Sequence, residues 1–137
     1  MGSLAFTDAR VEVNSVDLSD WVTSVTLPID YEALEDTAMG DVARSRISGL
    51  GDSTIAINFN QDFAAGGPDA TVNSAIKTVV TIKVRPTSSA ISATNPEYVG
   101  DYLINQNNPF GNGVGELAKM NVSWPLSDPT GIARNTS

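Results

Sequence analysis

Trp21-Val-Thr-Ser-Val-Thr-Leu-Pro-Ile29 and Ser53-Thr-Ile-Ala-Ile-Asn-Phe59 are two alternating runs, with residues 30–52 held between them. In the first, Trp21, Thr23, Val25, Leu27 and Ile29 point one way, and Val22, Ser24 and Thr26 the other. In the second, Ile55, Ile57 and Phe59 oppose Thr54, Ala56 and Asn58. Period-two alternation in segments rich in β-branched residues describes half-buried strands. Each strand therefore has one apolar face and one face of small, mostly polar, uncharged side chains.

The intervening residues are far more than a hairpin needs. Five carboxylates come first (Asp30, Glu32, Glu35, Asp36, Asp41), followed by Arg44 and Arg46. Two readings stand. One is a solvated loop, or a short helix from Tyr31 to Met39 ended by Gly40, because Tyr31, Leu34 and Ala38 fall on one helical face. The other is a bipolar arm that lies across the charges of a neighbouring copy.

Composition narrows the chemistry. With no histidine and no cysteine, the chain cannot build Ser-His-Asp, Cys-His or zinc-histidine sites, nor a disulfide framework. A carboxylate pair or a lysine would have to carry any catalysis. Sixteen acids against eight bases give a net charge of −8, which argues against gripping phosphates by counterion release. At 137 residues with 41% hydrophobic content, a single domain spanning the chain is expected. No run has transmembrane length, and Met1–Asp8 has no signal-peptide character, so synthesis in a cytoplasm and no membrane span are expected.

Outward from the central pair, Ala9–Val13 and Val16–Leu18 read as a small hairpin turned at Asn14-Ser15, and Phe6 is expected on the core. Gly66-Gly67-Pro68 breaks the chain, Asp69 is a candidate N-cap, and Ala70–Lys77 places Val72, Ala75 and Ile76 on one face of a short helix. Val79–Arg85 is a strand with Val80, Ile82 and Val84 inward, stopped by Pro86. Thr87–Pro96 is a polar loop. Tyr98–Gln106 is a strand with Tyr98, Tyr102 and Ile104 in phase. Asn107–Gly115 carries a G-x-G-x-G spacing, which is neither a dinucleotide fingerprint nor a P-loop, and reads as the turn of a closing hairpin. Glu116–Trp124 alternates Ala118, Met120, Val122 and Trp124 against Leu117, Lys119, Asn121 and Ser123. The polar tail, residues 125–137, is expected to be mobile or docked on a neighbour. The predicted fold is mainly β: two packed antiparallel sheets, a sandwich or open barrel, with one short flanking helix and a long inter-strand loop.

Val16-Asp-Leu-Ser-Asp-Trp-Val-Thr-Ser-Val-Thr-Leu27, Asp36-Thr-Ala-Met-Gly-Asp41, Asn95-Pro-Glu-Tyr-Val-Gly100 and Val114-Gly-Glu-Leu-Ala118 resemble tail tube (major tail) proteins of long, non-contractile bacteriophage tails. The resemblance spans roughly residues 10–135. It implies a non-enzymatic virion protein without cofactors, six copies forming a ring whose inner sheets join into a β-barrel, and rings stacked into a tube that conducts the genome. Its implied partners are other copies of itself and tail proteins such as the tape measure, tail terminator and distal tail proteins, while double-stranded DNA passes without specific binding. The 30–52 loop would reach a neighbour, with Tyr31, Leu34, Met39, Val42 and Ile47 as apolar anchors and Arg44 and Arg46 pairing with acids. Ser24, Thr26, Thr54, Ala56 and Asn58 would face the lumen.

Other readings of the same residues are a tail-completion or head–tail connector ring, and a carbohydrate-binding sandwich using Trp21, Trp124, Tyr31 or Tyr98. A hydrolase built on the acids of residues 30–41 lacks a rigid paired site. Calcium binding by the same acids lacks the D-x-D-x-D-G spacing.

Overall fold

In the computed structural model, which describes residues 9–110 and 113–136, Arg10–Val13 (β1) turns back into Val16–Asp17 (β2). Asn14 and Ser15 take φ values of 51° and 66°, the left-handed pair that a two-residue hairpin requires. β1 also pairs with Val79–Arg85 (β7), which pairs with Glu97–Leu103 (β8), all antiparallel. Ala133–Asn135 (β10) completes this sheet on the free side of β8. The second sheet has Val22–Thr26 (β3), Thr54–Asn60 (β6) and Lys119–Pro125 (β9) in that order, again antiparallel.

The two sheets enclose one core. Val11, Val13, Val80, Ile82 and Tyr102 come from the five-stranded sheet, and Ile55, Ile57, Phe59, Met120, Val122 and Trp124 from the three-stranded sheet. Helix α1, Pro68–Ala75, closes a flank with Val72 and Ala75. The expected sandwich with one short helix is therefore the observed fold. Phe6, expected on the core, lies outside the described residues.

Several local expectations are corrected. The helix begins two residues early: Gly67 is its N-cap, Pro68 fills the first turn and Asp69 sits inside it. Proline suits that position because its missing N–H would have no partner there, and Asp69 then complements the helix dipole. In β3, a bulge leaves Thr23 without a partner, so Val22 opposes Phe59 while Val25 opposes Ile57. The extra residue resets the phase, and Val22 joins Val25 against the core instead of pointing away. β8 and β9 do not form the expected closing hairpin, because they lie in different sheets. Gly111 and Asn112 in the connection between them lie outside the described residues. The C-terminal tail folds on its own subunit, with Leu126 N–H bonded to Ser53 O, Ser127 N–H to Asp101 O, and β10 on β8.

Candidate assembly surfaces

The largest correction concerns residues 30–52. They form neither an irregular loop nor a helix. They form a two-stranded antiparallel ribbon, Asp30–Glu35 (β4) against Arg46–Asp52 (β5). Every residue of β4 is exposed, and in β5 only Gly49 is partly covered. The ribbon is a sheet of its own, projecting as an arm from the end of the β3–β6 pair. Its tip is tied by Asp36 N–H to Ser45 O, Ser45 N–H to Thr37 Oγ1, and Ala38 N–H to Asp41 Oδ2.

Two glycines shape the arm. A Cβ at Gly51 would stand 2.6 Å from the Tyr31 ring, and one at Gly49 would stand 3.0 Å from Glu32 Cβ. Side chains from β4 thus lie over the glycines of β5, where no Cβ stands in the way. The anchors named from sequence sit here: Leu34 directly opposite Ile47, Tyr31 over Gly51, and Met39 and Val42 fully exposed in the tip. Arg44 lies 3.9 Å from Glu35 of its own arm, and Arg46 stands opposite Glu35 in register. Exposed pairs of that length contribute little.

The arm's base, by contrast, is buried and saturated. Ser53 is 4% exposed. Its Oγ donates to Pro28 O at 2.6 Å, leaving Tyr102 O–H to donate to Ser53 Oγ at 3.0 Å. Ser53 O accepts Leu126 N–H at 2.8 Å. Burial pushes the Tyr102 hydroxyl pKa up. The strand entering the arm, the strand leaving it, β8 and the C-terminal segment are joined at this one serine.

The outer face of the β3–β6–β9 sheet carries Ser24, Thr26, Thr54 and Asn58, all exposed, and Ala56, partly covered. The structure brings these five sequence-identified residues onto one surface. Asn58 Nδ2 donates to Ser24 Oγ at 2.7 Å, and Thr26 stands opposite Ala56. Sequence reasoning missed that β9 extends this face: Asn121 stands opposite Asn58 and Ser123 opposite Ala56. The alternation of β9 was legible, and its pairing with β6 was not. Among the described residues the outer edge of β3 has no strand partner, and a cleft of about 540 Å³ beneath it is lined by Val22, Val25, Leu27, Val84 and Tyr98. The edge of β9 is partly occupied, because Ser123 N–H donates to Gln106 Oε1 at 2.9 Å.

Of the four aromatic residues considered as sugar platforms, three are otherwise engaged, and Tyr31 lies exposed on the arm. Trp124 is buried with Nε1–H on Gln106 O, and Trp21 packs on the core with Nε1–H on Asp62 Oδ2. The Tyr98 hydroxyl accepts Arg134 Nε–H. The acids of residues 30–41 are spread along the exposed arm. Among the described residues, no three His, Cys, Asp or Glu side chains converge to hold a metal, and no helix is long and apolar enough to cross a membrane.

The fold and surfaces define a β-sandwich with one solvent-facing polar sheet and a protruding two-stranded arm. The chain matches no protein-family model and no curated protein. Among solved structures it resembles a chain of the "Virion of native gene transfer agent (GTA) particle", with a TM-score of 0.75 at 10% identity over 98% of this chain and 99% of that one. At that identity the likeness is one of fold, covering both chains nearly end to end.

Proposed function

We propose that the protein is a non-enzymatic virion component that assembles through its own surfaces into stacked hexameric rings, forming a tail tube that conducts DNA. The observation that carries this reading is the pairing of a polar, largely uncharged sheet face with an arm whose apolar side chains are exposed. Isolated domains seldom leave such an arm uncovered. The end-to-end likeness to a virion chain and the resemblance of the tail-tube motifs support the same reading. In the proposed ring, β3 of one copy pairs with β9 of the next after Gln106 gives way, so that sheet edges disappear and the polar face lines the lumen.

On this reading the lumen presents Ser24, Thr26, Thr54, Ala56, Asn58, Asn121 and Ser123, none of them a cation, with Lys119 on the same face at its far end opposite Asn60. Six copies carry 6 × (−8) = −48 formal charges, which repel a polyanion close to the wall. The arm uses Tyr31, Leu34, Met39, Val42 and Ile47 to reach a neighbour, with Arg44 and Arg46 meeting acids there.

Negative-stain electron microscopy of purified protein tests the proposal. Tubes or stacked rings are expected from the wild type, and their loss when a short Gly-Ser linker replaces Tyr31–Ser48 in a chain that still folds. Single rings that never stack would favour a connector role. A strictly monomeric wild type at high concentration would refute assembly.

A further inference from the structure

The exposed apolar side chains are not scattered. Apart from Val79, every exposed large hydrophobic among the described residues belongs to one of two groups. Ile29, Tyr31, Leu34, Met39, Val42, Ile47 and Leu50 belong to the arm and its root. Phe63, Phe110, Val114 and Leu117 form the second group. Phe63 and Phe110 stack with ring centroids 5.5 Å apart, 54% and 81% exposed, and Val114 and Leu117 follow in the same connection.

Strand register places the two groups at opposite ends of the sheet. β6 leaves the arm at Thr54 and ends at Asn60, just before Phe63. β9 begins at Lys119, opposite Asn60, just after Leu117, and ends at Pro125, opposite Thr54. Gln61 N–H donates to Ala118 O, and Gln61 Nε2–H to Pro109 O, which hold both loops at the far end. Seven residues of β6 separate the ends by about 23 Å, and the six-residue strand β4 gives the arm about 20 Å of reach before its tip.

We propose that the aromatic patch of Phe63, Phe110, Val114 and Leu117 is the socket for the arm of a second copy, engaged head to tail along the strand direction. Different patches at opposite ends of one molecule make a heterologous contact, which propagates into an open filament instead of closing as a dimer. Charge is mixed at both ends, with Asp36 and Asp41 beside Arg44 and Arg46 on the arm and Asp62 and Glu116 beside Lys119 at the far end, so the docking rests on the two apolar groups. Met39 and Val42, more than 100% exposed, are the side chains that enter between the rings and Leu117. The inference rests on the tube reading for its biological setting and names the surface that joins one ring to the next.

The absence of cysteine permits a direct test. Val42→Cys and Leu117→Cys are introduced singly and together, and treated with a short bis-maleimide. The double variant is expected to give a ladder of covalent oligomers. An equimolar mixture of the singles should stop at dimers, and each single alone should give none. Singles that cross-link as well as the double, or a double that gives no ladder while forming tubes, would overturn the socket. In parallel, Phe63→Ser/Phe110→Ser should leave the melting temperature within a few degrees of wild type and raise the concentration needed for stacking at least tenfold. Phe63→Leu/Phe110→Leu should restore most of it, and serine variants that stack like wild type would also overturn the socket. The two proposals fail separately: wild-type tubes without the cross-link refute only the socket, whereas a ladder from protein that never forms rings or tubes upholds the socket and refutes the tube.

Discussion

Ser53→Ala is the sharpest probe of how the arm is held. The substitution removes a hydroxyl that donates to Pro28 O at 2.6 Å and accepts from Tyr102 O–H at 3.0 Å. The Tyr102 residue is 1% exposed, so its hydroxyl is left without a partner at a site water barely reaches. A buried polar group deprived of its bond costs about 1–3 kcal/mol, and two groups are orphaned here. Partial relaxation at Pro28, which is only half-buried, reduces the sum to about 2–4 kcal/mol. For a domain of this size that corresponds to a fall in melting temperature of about 8–16 °C. Chemical denaturation of the wild type, Ser53→Ala, Tyr102→Phe and the double variant would measure it. Because Tyr102→Phe removes the orphaned donor, the double variant should cost less than the two singles added, by about 1 kcal/mol. Strict additivity, or a loss under about 0.5 kcal/mol for Ser53→Ala, would refute the relay as a determinant of stability.

The polar face and the buried hydroxyl each give a further test. Thr54→Lys or Asn58→Lys should leave the fold intact, since both side chains face solvent, yet in the proposed tube either places six cations around the lumen. Such particles should assemble and eject DNA poorly, most clearly at low salt, whereas unfolding of either variant would show the face is misassigned. The raised pKa of Tyr102 means the folded state holds that proton more tightly than the unfolded chain. Its contribution is complete below pH 10.0, the ordinary value, and is lost as pH rises through the folded value. Alkaline unfolding curves for wild type and Tyr102→Phe should therefore diverge above pH 10.0, and parallel curves would assign the transition to another group.

Where local pattern and tertiary structure agree, the chain is readable. The Asn14-Ser15 turn, the inward Val80 and Ile82, and the Ile55-Ile57-Phe59 face follow from alternation and turn chemistry alone. The β3 bulge is different, because an inserted residue leaves composition unchanged and shows only in the register with Phe59 and Ile57. The arm escaped for a related reason: with neither face buried it carries no apolar alternation, and Gly49 and Gly51 depress its strand propensity. The β8–β9 misreading reflects non-local choice, since adjacency in sequence favours a hairpin while the core places Tyr102 and Trp124 on opposing sheets. Asn95 was hidden in a polar loop. It is buried, receives Thr87 N–H at its Oδ1, and donates from Nδ2 to Ser89 O and Ala90 O, tying the loop before β8. Of the candidate assembly surfaces, the residue types were visible and their placement at opposite ends of the sheet was not.

The arm also has an energetic consequence that links its exposure to function. A lone two-stranded ribbon is marginal in water, because its backbone bonds compete with solvent and it buries no side chains to offset the lost chain entropy. Here the base is fixed by Ser53 while Leu34, Ile47, Met39 and Val42 remain in water. The relay therefore sets the direction of the arm without stabilising its tip. Docking on a second copy would supply the missing burial at about 25 cal/mol per Å² of apolar surface. A base already ordered by Ser53 reduces the entropy that docking must offset, so more of that gain appears as affinity. An arm fixed at its root, with apolar side chains exposed along its length, thus fits the proposed polymer, in which every copy would both offer an arm and receive one.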